Sequence, residues 1–203
     1  YLQAHVAQLC RQQIDDPAHP GKGAVVTSDD GRPSPGQTVV LIVGGVTLAY
    51  LAENPPALGQ AGAATSDVPL AEMGAAAQAL LTLQRPSGLI DLPTVNIDSS
   101  PDTAFAVQRL CTALELGRQV ARKDAAWRDL LAAIERFLRA AVPGMAAGGF
   151  HTPNHRWVIA SALAQTAALL PDLDVDAAIA AYLAEGIDVD AEGFFIERSI
   201  GVY

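Results

Sequence analysis

Aromatic residues make up only 5% of this sequence, and there are just two cysteines, Cys10 and Cys111. The first scarcity speaks against a β-sandwich, because alanine and leucine dominate the chain and both favour helices, while β-branched residues cluster in few places. The second excludes a disulfide framework. Two cysteines this far apart do not form a zinc site either, so both are expected as buried free thiols. Basic residues are also few, 13 Lys and Arg against 22 Asp and Glu, giving a formal net charge of −9. With no basic stripe to neutralise a phosphate backbone, nucleic acid is not an expected partner. No metal signature appears and no cofactor is expected. The longest apolar run, residues 38–52, is shorter than the roughly 20 residues needed to cross a bilayer, so no membrane span is expected.

What is present is a 203-residue chain, half of it apolar, enough for one domain with a sizeable core. It opens on Tyr1 rather than methionine and carries no visible signal peptide. We therefore read residues 1–203 as a single helical domain, expected to be a piece of a longer protein whose compartment its N-terminus does not reveal.

Apolar periodicity predicts helices over 2–13, 38–53, 69–84, 101–122 and 124–142, another starting at 153, and a short one over 174–185. Residues 15–37, rich in Pro, Gly and Asp, read as an irregular surface connection, and 91–99 as another long loop. Gly44-Gly45 inside the second helix points to a close backbone approach. Ser66 or Asp67 is placed to cap the third helix. Pro143-Gly144 should end the fifth, and Gly186 the last. The helix from 101 is apolar on most sides in its first half and that from 153 almost all round, whereas 124–142 has one wet face, so buried and half-exposed helices alternate. That alternation predicts an all-α fold of antiparallel hairpins in two layers, an incomplete (α/α) toroid, with a short irregular or hairpin segment at the C-terminus. If each outer helix reverses the chain, the inner helices present their N-termini on one rim.

Two of those N-termini begin alike. Ser100-Pro101-Asp102 and Thr152-Pro153-Asn154 each place a hydroxyl cap, a proline and a short polar side chain in succession. In the second, Asn154 and His155 fall in the first helical turn, beside unpaired N–H groups that favour an anion such as a carboxylate. Asn, His, Arg and Tyr side chains gathered at such a rim suit removal of a proton next to a carboxylate. Donors and a cation neutralise the carboxylate, and His and Tyr move protons.

Asn154-His155-Arg156-Trp157, followed after another helix by Glu197-Arg198-Ser199-Ile200-Gly201-Val202-Tyr203, resembles the helical domain of heparinase II/III-type polysaccharide lyases and related alginate lyases. The resemblance implies an (α/α) toroid followed by a β-sheet domain, acting on uronate-containing glycans by β-elimination. It implies Asn154 as the group that neutralises the uronate carboxylate, His155 as an assistant at the reacting sugar, and Tyr203 as general acid and base. Arg156, Trp157 and Arg198 are the candidate substrate contacts, with Arg156 and Arg198 read alternatively as ion-pair partners of Glu197 and nearby Asp side chains, and Asp98 and Asp102 would lie on the cleft wall. A bacterial periplasm or cytoplasm is the implied compartment. The partner would be an acidic polysaccharide or oligosaccharide, and the net charge of −9 favours a lightly charged uronate polymer over a heavily sulfated one.

Two other readings compete. A glycoside hydrolase on an (α/α) barrel needs two carboxylates facing one bond, for which Asp91, Asp98 and Asp102 are available. A helical carbohydrate-binding or scaffold domain without chemistry needs only the alanine-rich helices.

Overall fold

The computed structural model describes residues 1–26, 31–55, 68–92, 95–122, 124–149, 151–184, 186 and 190–194. Seven helices account for 65% of these residues, and the strands among them form one small antiparallel hairpin, so the fold is all-α. The helices are α1 (Leu2–Arg11), α2 (Pro35–Glu53), α3 (Leu70–Leu83), α4 (Ser100–Gln119), α5 (Ala125–Ala146), α6 (Pro153–Leu169) and α7 (Asp176–Leu183). The hairpin, β1 (Ile90–Leu92) and β2 (Asn96–Ser99), pairs Ile90 with Ser99 and Leu92 with Asn96 and leads directly into α4.

Helix α4 is the centre of the core. It packs against α2 on one side, α6 on the other and α5 behind, and Ala104, Val107, Leu110 and Ala113 are fully buried along it. Helices α4 and α6 run parallel, because their contacts climb both together: Gln108 Nε2 donates to the Val158 carbonyl at 3.5 Å, Cys111 Sγ lies 3.6 Å from Thr166 Oγ1, and Arg118 Nη1 donates to the Leu169 carbonyl at 3.1 Å. Helix α2 has the same direction. Its start shares a cleft with the start of α4, and near its end Glu53 Oε2 accepts the Ala121 N–H at 2.8 Å. Helices α3 and α5 pack against each other, α3 also on α2 and α5 on α4 and α6, while α7 packs on α6.

Several local expectations need correction. Helix α2 begins at Pro35, within the stretch expected to be irregular, because Ser34 caps it and Pro35 takes the first position, where its missing N–H costs nothing. The preceding segment is irregular but not all surface. Ala24 and Val25 are fully buried, and the Val25 N–H donates to Thr38 Oγ1 at 2.9 Å. With 19 residues, α2 is long and apolar enough to cross a membrane by length and composition, so length alone does not exclude a span. It packs against α1, α3 and α4, and the paired glycines make that packing close: a Cβ on Gly45 would sit 2.4 Å from Met73 Sδ, and one on Gly44 2.6 Å from Val6 Cγ2.

Helix α3 starts after Pro69 with no side-chain cap, and the expected caps Ser66 and Asp67 lie outside the described residues. Helix α5 does not stop at Pro143; it continues to Ala146. Packing outweighs the proline here. The loop before β1 presses on the helix so closely that a Cβ on Gly144 would lie 2.6 Å from the Ser87 carbonyl oxygen. The 91–99 loop is the hairpin, missed because it is short, polar and bulged. Cys111 is a buried free thiol, but Cys10 is only half-buried.

Candidate functional site

Three parallel helices place their N-termini at one end of the fold, and each starts with a hydroxyl residue and a proline: Ser34-Pro35 for α2, Ser99-Ser100-Pro101 for α4 and Thr152-Pro153 for α6. The first of these pairs went unread in the sequence, although Ser34-Pro35-Gly36 carries the same signal. In α4 the cap is Ser99 rather than Ser100. Ser99 Oγ accepts the Asp102 N–H, while Ser100 enters the helix and is buried.

Asn154 is held in a specific way at the start of α6. Thr152 caps nothing with its side chain; its hydroxyl donates to Asn154 Oδ1 at 2.6 Å, and the His155 N–H donates to the same oxygen at 2.8 Å. Two donors aimed at one atom fix which end of the carboxamide is oxygen. Nδ2 is therefore the donor end of the amide. His155 and Arg156 are half-buried in the same turn, and Trp157 is exposed at the lip.

Beneath this turn lies a buried polar group absent from the sequence reading in this role. Tyr182, near the end of α7, donates its phenol to the Met145 carbonyl at 2.7 Å, and its ring lies 6.0 Å from that of His151. Thus α7 does return the chain to this end. Burial raises the Tyr182 pKa, while the nearby Ser100 hydroxyl and the Gly148 backbone pull the other way. Ser100 Oγ nevertheless makes no well-formed hydrogen bond there, and His151 Nε2 is likewise buried without a partner. Burial also lowers the His151 pKa, a Gly148 backbone hydrogen bond opposes that shift, and the neighbouring His155 adds to it. Only the spacing of His151 from the motif hinted at this placement.

The expected cleft-wall carboxylates sit on the hairpin and the start of α4. Asp91 takes two bonds from Arg85, each 2.6 Å, and its Oδ1 also accepts the Asp98 N–H at 2.7 Å. The Arg85 guanidinium holds the Asp91 carboxyl below the usual carboxylate range. Asp98, in the left-handed region at φ 56°, accepts the Ser87 hydroxyl. Asp102 accepts from the Ser99 hydroxyl and, at 3.3 Å, from Asn96 Nδ2. Asp91 and Asp98 tie the hairpin to itself and to the loop at Arg85 and Ser87, and Asp102 ties the start of α4 to β2.

Two clefts flank this hairpin. One, of about 370 Å³, lies between the starts of α2 and α4 and is lined by Ser34, Gly36, Leu92, Asp102, Phe105 and Arg109 among others. The second, of about 490 Å³, shares Pro35, Asp91 and Leu92 with it and extends past Arg32, Val95 and Ile97. Neither Phe105 nor Arg109 stood out in the sequence as facing a cleft. Among the described residues no three His, Cys, Asp or Glu side chains cluster to hold a metal ion. Tyr203 and Arg198, and the segment 187–189 and 195–203 expected to pass Asn154 and His155, lie outside the described residues. In comparisons with known proteins, the chain matches no family model, no curated protein and no solved structure.

Proposed function

We propose that this chain is the helical part of a polysaccharide lyase that cleaves a uronate-containing glycan by β-elimination. In this reading α2, α4 and α6 are the inner helices, and α3, α5 and α7 the outer helices, of an incomplete (α/α) toroid, with α2 part of its core rather than a membrane span. The observation that carries it is the state of Asn154. Its oxygen is occupied by Thr152 and by the His155 N–H, so it offers only N–H donors at the α6 N-terminus, where a carboxylate is favoured. Neutralising the sugar carboxylate acidifies the neighbouring C–H; Tyr203, assisted by His155 in the same turn as Asn154, takes that proton and delivers it to the departing glycosidic oxygen as the C–O bond breaks and a C=C bond forms beside the carboxylate. Arg156, Trp157 and Arg198 complete the sugar contacts, with no cofactor.

The braced carboxylates count against the hydrolase reading. Asp91 is tied to Arg85 and held ionised, which removes it as a general acid. Asn154→Asp in the full-length protein is the test. The aspartate retains an oxygen for Thr152 and the His155 N–H, yet repels a uronate. Turnover on a uronate polymer, read as ultraviolet absorbance of the unsaturated product, should fall by about a hundredfold or more. Unchanged turnover, or products without the unsaturated sugar, would overturn the lyase assignment.

A further inference from the structure

We propose that the cleft between the starts of α2 and α4 is a second sugar-binding subsite, in which Arg109 pairs with a uronate carboxylate and Phe105 packs against the sugar ring; this rests on the glycan reading above. Arg109 makes no hydrogen bond or ion pair among the described residues, although it lines a cleft of about 370 Å³. Every other arginine lining the two clefts is engaged: Arg85 with Asp91, and Arg32 within its own surroundings. A lone guanidinium at a cleft wall suits a planar carboxylate, which it binds with two parallel N–H bonds.

Phe105 stands one helical turn before Arg109, so both project from the same face of α4 into the cleft. It is 43% exposed, so its ring is open to a ligand in the cleft. An apolar ring face beside a cation matches the two faces of a uronate: C–H groups on one side of the ring and a carboxylate at its edge. The opposite wall is built of small groups. A Cβ on Gly36 would meet nothing within 4 Å, which leaves the first turn of α2 open to the cleft. Asp102 also lines it, but its carboxylate is turned to Ser99 and Asn96. The cleft lies on the same end of the fold as Asn154, one inner helix away, so a polymer bound at the α6 start can extend along the rim into it.

Calorimetric titration of the full-length protein carrying His155→Ala, to prevent turnover, with tetramannuronate and with its carboxyl-reduced counterpart tests the subsite. Arg109→Gln should weaken tetramannuronate binding about tenfold and leave the reduced sugar unaffected, since only the charged pair is lost. Phe105→Ala should weaken both ligands. Equal binding by Arg109→Gln, equal losses for both sugars, or no binding of tetramannuronate would overturn the subsite. The outcomes separate the two proposals. Unsaturated products with an Arg109→Gln enzyme of unchanged Kd and KM leave the lyase reading standing and remove the subsite. Arg109-dependent binding without any elimination does the reverse.

Discussion

The rings of Tyr182 and His151 lie 6.0 Å apart and tilted by 43°, holding the end of α7 against the loop that leads into α6. The phenol completes the tie by donating to the Met145 carbonyl at 2.7 Å inside the protein. Tyr182→Phe keeps the ring contact and deletes this buried bond, leaving the carbonyl without that donor. The cost should be about 1 kcal/mol, or a fall in Tm of roughly 2–4 °C for a domain of this size. Thermal unfolding followed by circular dichroism measures it, and an unchanged Tm would show that the bond contributes nothing net.

His151 makes stability depend on pH in a definite direction. Its folded pKa lies below the ordinary value, chiefly through burial. The unfolded chain therefore binds a proton that the folded chain refuses, and stability present above about pH 6.5 is lost as pH falls from there toward the folded pKa. Urea unfolding midpoints should drop between pH 7.5 and pH 5.5, and His151→Gln should shrink that drop. A variant with the same drop would place the acid sensitivity elsewhere.

The sequence was legible wherever helices carry their own local signals. Thr152-Pro153 gave the start of α6, and the apolar character of α4 and α6 gave a burial that the structure reproduces except at the exposed Phe105 and Trp157. Illegible features depend on contacts between distant segments. Pro143 reads as a helix end because nothing local reveals the loop at Ser87 and Leu89 pressing on Gly144. The hairpin was missed because its pairing is braced by Arg85, Asp91 and Ser87 rather than by an alternating apolar pattern. That Asn154 and His155 fall in the first turn of α6 was readable from Thr152-Pro153. That Arg109 and Phe105 face a cleft was not, since only the neighbouring α2 start turns their helix face into a cleft wall.

Two glycines should respond to alanine with opposite signs. Gly88 has φ 86°, and a Cβ there would lie 1.7 Å from the Ala140 carbonyl oxygen. Gly88→Ala combines a disfavoured backbone with a clash against the α5 backbone, and should destabilise by about 3 kcal/mol or more. Gly74 lies inside α3 with nothing within 4 Å of an added Cβ. Gly74→Ala should stabilise by about 0.5–1 kcal/mol through helix propensity. Urea midpoints of the pair check both; a Gly88→Ala protein as stable as the parent would mean that the 85–89 loop is not seated on α5 as described.

The last prediction separates two tyrosines as proton carriers. Tyr182 is near the motif, but its hydroxyl is buried and committed to the Met145 carbonyl, and burial raises its pKa. Both features unfit it for passing a proton to a leaving sugar oxygen. The lyase reading therefore assigns that role to Tyr203. In the full-length protein Tyr203→Phe should lower elimination by about 10²–10⁴-fold with KM little changed, since the substitution removes only the group that moves the proton. Tyr182→Phe should retain most of its turnover once assayed well below its lowered Tm. If Tyr182→Phe is the inactive variant while Tyr203→Phe turns over normally, the proton passes through the buried cluster beneath the rim, and the assignment of Tyr203 fails.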